Sequence, residues 1–102
     1  MIEKNKILAL VQEELDEANI VHPLFHSAHE AQNVIREELE EAEYEMEVCK
    51  DILEHIWTMI KCDQDHLGAI EELRDRSINL IQETIQVAAM CDKALESMKN
   101  YK

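Results

Sequence analysis

An all-α fold is predicted, and three observations carry that reading. Glycine and proline each occur once, which leaves little material for the turns that a sheet requires. Hydrophobic residues make up 46% of the 102, and they recur at intervals of three and four, the period of a helical face. A chain of this length supports one domain and buries only about two-thirds of the surface its unfolded form exposes. The expected organisation is a single domain over residues 1–102, with helices at about 2–21, 27–62 and 65–99. The second and third form a long antiparallel hairpin.

The first helix rests on Leu8, Val11, Leu15 and Ala18, which repeat at three and four along one apolar face. His22-Pro23-Leu24-Phe25-His26 then ends it, because the residue before a proline avoids helical dihedrals and proline has no amide to donate. Ser27-Ala28-His29-Glu30 reads as a capping box, in which the Ser27 hydroxyl and the Glu30 carboxylate satisfy free amides at a helix start.

The second helix follows from Ile35, Leu39, Ala42, Met46, Cys49, Leu53, Ile56 and Ile60, a strict four-three alternation that reads as a bundle packing seam. Around Cys62-Asp63-Gln64-Asp65-His66 the periodicity lapses, and either aspartate can cap the helix that follows. The third helix is apolar nearly all round between Ile78 and Met90, which predicts a central position. Its polar exceptions, Asn79, Glu83, Gln86 and Lys93, fall on one stripe.

Seven glutamates lie within Glu37 to Glu47. Glu40, Glu43 and Glu47 point away from the apolar face and read as solvated. Glu38, Glu41 and Glu45 do not, because they share a stripe with Val34, Val48 and Ile52, about 100° round the helix from the seam. A half-buried row of acids repels itself and is costly to desolvate, and a divalent cation among the acids relieves both costs. Folding the hairpin back about residues 62–65 sets Glu41 opposite Glu83, Glu38 near Gln86 and Glu45 near Asn79. Two stripes of misplaced polar residues, found independently, thus converge on one patch.

Composition narrows the chemistry. A net charge of −13 leaves no basic stripe to displace counterions from nucleic acid and disfavours anionic membranes, so a phosphate ligand has to arrive with metal. No apolar run approaches the roughly 20 residues that cross a bilayer, and the acidic N-terminal segment is unlike a secretory signal. The reading is a cytoplasmic protein. Cys49, Cys62 and Cys91 are odd in number, widely spaced and set in apolar helical contexts, so they read as reduced and structural. There is no Ser-His-Asp grouping, glycine-rich phosphate loop or Cys-x-x-Cys pair, and no Glu-x-x-His spacing on the acidic stripe of the kind a di-iron bundle uses. His22, His26 and His29 read as turn and cap residues, with His26 or His29 at the mouth of the acidic patch as the alternative; Asp63 and His66 read as a solvated turn. Lys93 is either a phosphate contact or a surface lysine with a buried stem. Trp57 reads as an interface residue rather than a base-stacking one.

Glu37-Glu38-Leu39-Glu40-Glu41 on one helix, with Glu83-Thr84-Ile85-Gln86 on the next, resembles the MazG-type all-α nucleoside-triphosphate pyrophosphohydrolases. Phe25-His26-Ser27-Ala28-His29-Glu30 and Thr84-Ile85-Gln86-Val87-Ala88-Ala89-Met90 resemble the small MazG-like proteins of phages and prophages. The resemblance covers roughly residues 22–96. It implies assembly into a homodimer or homotetramer of four-helix-bundle type and a Mg²⁺-dependent hydrolase, with Mn²⁺ an alternative ion, cleaving a nucleoside triphosphate to monophosphate and pyrophosphate. It implies Glu38, Glu41, Glu83 and Gln86 as metal ligands, Glu37 and Glu45 orienting the attacking water, and Asn79, Lys93 and His29 as substrate contacts. Gln86 stands where the family pattern has an aspartate, and its neutral amide supplies no charge. The stretch between Glu41 and Glu83 is longer than the usual loop, which adds a hairpin arm carrying Ile52, Ile56, Trp57, Met59 and Ile60. That arm is expected to pack on another subunit. A noncatalytic bundle that binds a nucleotide or a protein partner through the same surface is the alternative reading.

Overall fold

Ser27 fixes where the long helix begins. Its backbone is extended (φ −155°, ψ 164°) and its Oγ accepts from the Glu30 amide at 3.1 Å, so one orphan donor of the first turn is satisfied. The Glu30 carboxylate reaches one residue further back than a capping box requires: it accepts from the His26 amide at 3.4 Å and lies 3.4 Å from His26 Nδ1. In this computed structural model, residues 1–99 are described. The last three residues of the domain expected over 1–102 lie outside that part.

The three expected helices are present, α1 (Lys4–Asn19), α2 (Ala28–Lys61) and α3 (Leu67–Met98), and no strand forms among the described residues. The α2–α3 turn closes with Asp63 at φ 56°, a left-handed conformation that aspartate tolerates better than most residues. The N-cap of α3 is His66, not an aspartate, and it makes no side-chain cap; Asp65, one residue earlier, accepts at Oδ1 from the Leu67 amide at 3.1 Å.

α3 is the central helix, with α2 packed antiparallel along it and α1 against its C-terminal half. The core sits at the end away from the hairpin turn. There Val11, Leu15, Phe25, Ala31, Ala89 and Met90 are buried together, with Ala18, Val34, Ile35, Ile85, Ala88 and Ala94 packed around them. The link between α1 and α2 is tied to this core by one long-range bond: the Phe25 amide donates to Ser97 Oγ at 2.9 Å. Ser97 is fully buried and its hydroxyl donates onward to the Lys93 carbonyl at 2.7 Å.

Two expectations need correction. Only one edge of the α2 seam packs on α3: Cys49 and Ile56 are buried, while Leu39 (52% exposed), Met46 (44%), Leu53 (58%) and Ile60 (46%) face outward. Of the acidic stripe, Val34, Glu38, Glu45, Val48 and Ile52 are half-buried while Glu41 is exposed, so Glu38 and Glu45 lie at the helix contact. Cys62, expected in an apolar context, is exposed where α2 ends, whereas Cys49 is buried and Cys91 half-buried; all three are free thiols.

Candidate metal centre

The hairpin register brings the acids together. Glu38 and Glu41 sit one turn apart on α2, and Glu83 meets them from α3, so that a carboxylate oxygen of each lies within 4.8 Å of the others. A divalent ion shared by the three carboxylates would draw these oxygens closer together than they stand here.

Burial and mutual repulsion leave the cluster short of positive charge. Glu38 and Glu83 are half-buried, and Oε2 of each, like Oε2 of Glu45, is buried with no hydrogen-bond partner among the described residues. Burial first, then the charges of Glu41, Glu83, Glu14 and Glu37, push the Glu38 carboxyl above its ordinary value. Glu83 is raised in the same way, by burial, by a hydrogen bond shared with Glu41 and by the charges of Glu41 and Glu45. Unpaired buried carboxylate oxygens are rare in folded proteins, and an ion is one of their standard explanations.

An open cleft of about 390 Å³ leads to the cluster, lined by Glu37, Glu40, Glu41, Tyr44, Glu45 and Glu83. Glu37 and Glu45 therefore line the cleft beside the cluster. Gln86 is half-buried and lines a neighbouring cleft with Glu13, Glu14 and Glu17 of α1, so the α1 acids stand on its side of the cluster. Asn79 is exposed one turn before Glu83 and is not among the residues lining either cleft. His29 is exposed near the start of α2.

Lys93 lies elsewhere. Ten residues beyond Glu83, about 15 Å along the helix, it is 5% exposed, and its Nζ stands 4.8 Å over the Phe25 ring. Burial pulls its ammonium below the usual lysine range, against the opposing charge of Glu30. Neither a surface lysine nor a neighbour of the acids, it forms part of the packing around Phe25.

Three contributors to the cluster escaped the reading of the sequence. Glu14 acts on Glu38 from α1, and Val11-Glu14-Ala18 shows the same signal as the α2 stripe, an acid between apolar neighbours at helical spacing. Tyr44 lines the cleft without any such signal. Arg76 places Nη1 3.5 Å from Glu45 Oε1, the pair being 38% and 14% exposed; its spacing of three to Asn79 and seven to Glu83 puts it on their stripe. It is the basic residue in ion-pair contact with the acids among the described residues.

Comparison with protein-family models, with characterised proteins and with solved structures found no match to the chain. Fold and cluster together define an all-α protein with an interhelical carboxylate patch that could hold a metal ion. No helix among the described residues is long and apolar enough to cross a membrane.

Proposed function

We propose that the chain is a Mg²⁺-dependent nucleoside-triphosphate pyrophosphohydrolase of MazG-like type, releasing nucleoside monophosphate and pyrophosphate. The observation that supports it most is the approach of Glu38, Glu41 and Glu83 to within 4.8 Å, with buried, unpartnered oxygens on Glu38 and Glu83. These three carboxylates, with the amide oxygen of Gln86, are the residues to hold the ion. When bound, Mg²⁺ supplies charge neutralisation for the phosphates and acidifies bound water.

The chain's own side chains do the rest. Three carboxylates in one cleft repel an unaccompanied triphosphate, so the protein selects a nucleotide that brings its metal with it. Glu37 and Glu45, which line the cleft, can accept a proton from a water beside the cluster. Arg76 pairs with Glu45 at 3.5 Å and sets a positive charge beside the cluster. Asn79 is available to a phosphate or base at the entrance. Neither Lys93 nor His29 is needed. Under the same reading two or more copies complete a four-helix core around the site.

The test is to incubate the full chain with Mg²⁺, and separately Mn²⁺, and a panel of canonical and modified nucleoside triphosphates, resolving products by ion exchange. Monophosphate and pyrophosphate in equal amounts, absent with Glu38→Gln, is the result expected. Nucleotide retained on the protein but never cleaved would favour the second reading, a noncatalytic nucleotide-binding bundle, for which the neutral Gln86 is the specific argument.

A further inference from the structure

Lys93 is a buried cation without an anion beside it. It is 5% exposed, yet no carboxylate among the described residues comes within ion-pairing distance of its Nζ, and Glu30 acts on it only from further off. What its Nζ meets is the face of the Phe25 ring, 4.8 Å away. A ring face offsets part of the hydration an ammonium loses, but it does not satisfy three N–H donors as carboxylate oxygens do. Buried charges are ordinarily both paired and hydrogen-bonded.

The same lysine lines an open cleft of about 510 Å³ between the C-terminal half of α1 and the last turns of α3, a size usual for small-molecule sites. Leu15, itself buried, gives the cleft an apolar wall. Two of its polar side chains are engaged: Gln12 Nε2 donates to Asp16 at 2.8 Å, and Lys99 Nζ donates to Glu96 at 3.1 Å. Asn19 is not. Its Oδ1 is buried with no hydrogen-bond partner among the described residues, so Asn19 and Lys93 line one cleft without bonding to each other. Asn19 is also the last residue of α1, where the carbonyl end of a helix favours positive charge. Two unmet demands of opposite sign therefore share the cleft, and Asp92 stands exposed on its α3 side.

We propose that this cleft binds a small zwitterion, a free amino acid, with its carboxylate on Lys93 and its ammonium between Asn19 Oδ1 and Asp92. A bare anion such as phosphate would meet the charges of Asp92 and Glu96 and leave Asn19 unsatisfied. A bare cation is repelled by Lys93. A ligand carrying both charges answers both groups, and the carbons between its charges lie along Leu15. The spacing of the two charges then selects among α-, β- and γ-amino acids. Lys93 stands about 15 Å along α3 from Glu83, so none of this depends on what the acidic cluster does.

The test is an NMR titration of the full chain, labelled with ¹⁵N and with ¹³C in lysine, against glycine, β-alanine and γ-aminobutyrate, with acetate and methylamine as single-charge controls. One of the three amino acids should saturate with a Kd of about 1 mM or below, moving the Lys93 side-chain and Asn19 amide signals together, and both controls should bind at least about tenfold more weakly. Lys93→Met, which keeps the aliphatic stem, and Asn19→Leu should each weaken that binding at least about tenfold in protein that still melts cooperatively. Should Lys93→Met fail to fold, Asn19→Leu and the map of shifted signals in the unaltered chain decide the matter. An unchanged Kd in Asn19→Leu overturns the proposal, as does the absence of any shift at Lys93 and Asn19 with all three amino acids up to about 50 mM. Acetate binding as tightly as the amino acid would show that a bare anion suffices, and shifts confined to Glu38, Glu41 and Glu83 would place the ligand elsewhere; either result overturns it equally.

Discussion

Glu38 of α2 and Glu83 of α3 hold carboxylate oxygens within 4.8 Å of each other across the helix pair, and on each residue Oε2 is buried without a hydrogen-bond partner. Two like charges so placed oppose folding unless a proton or a cation accompanies them. Much of the behaviour expected of the protein follows from that pair.

Stability should depend on pH in a defined direction. Both carboxyls are raised above the ordinary 4.5 by burial and neighbouring acids. A group whose folded value is raised binds its proton more tightly when folded, so its contribution is complete below 4.5 and is lost as pH climbs through the raised value. Glu38→Gln or Glu83→Gln should therefore stabilise the metal-free protein at neutral pH by about 1 kcal/mol, or roughly 4–8 °C in Tm. The gain should shrink towards pH 4.5. Thermal melts in chelator across that range check it, and a variant that melts lower than wild type at pH 7.5 would contradict it.

Gln86 offers a change in the opposite sense. Gln86→Asp adds a fourth carboxylate on the side of α1, where Glu13, Glu14 and Glu17 already stand. Divalent-ion affinity should rise about tenfold while the metal-free protein loses stability. Isothermal titration with Mn²⁺ and a melt in chelator measure the two effects, and an affinity unchanged or lowered would remove Gln86 from the site.

Arg76 tests whether the cluster responds to charge rather than to packing. Its pair with Glu45 spans 3.5 Å and is partly exposed, so Arg76→Gln should change stability by less than about 1 kcal/mol. Removing a cation from beside the acids should nevertheless tighten Mn²⁺ binding several-fold and shift the pH dependence of turnover. Weaker binding of the ion would mean that Arg76 orders the cluster instead of competing for it.

How much of this could be read in the sequence differs from part to part. The period of the apolar residues was enough for three helices, and the turn at residues 62–65 brought Glu41 opposite Glu83, because an antiparallel hairpin leaves little freedom in register once its turn is placed. The role of Glu14 was not legible. It depends on how α1 lies on α3, which is set by the 20–27 link and by a hydrogen bond between Phe25 and Ser97, 72 residues apart. Nor did periodicity say which edge of the α2 seam α3 would take, since Leu39 and Cys49 carry the same signal. Only the packing distinguishes them.

The Phe25–Ser97 bond should be measurable. Ser97→Ala takes the acceptor from the Phe25 amide inside the core, at a cost of about 1–2 kcal/mol. Urea denaturation should show a lower midpoint at an unchanged slope. Because α1 is tethered through this link, amide exchange in α1 should quicken more than in the hairpin. Uniform quickening would show that the bond does not hold α1 in particular.

The measurement closest to the central claim is a Mn²⁺ titration of the full chain at neutral pH, followed by electron paramagnetic resonance of the free ion and repeated with Glu38→Gln and Glu83→Gln. One ion per acidic cluster, displaced by Mg²⁺ and by neutralising either glutamate, with Tm rising as the ion binds, is the result predicted. Binding that is absent in wild type, or that survives in both variants, would contradict a metal centre built from Glu38, Glu41 and Glu83.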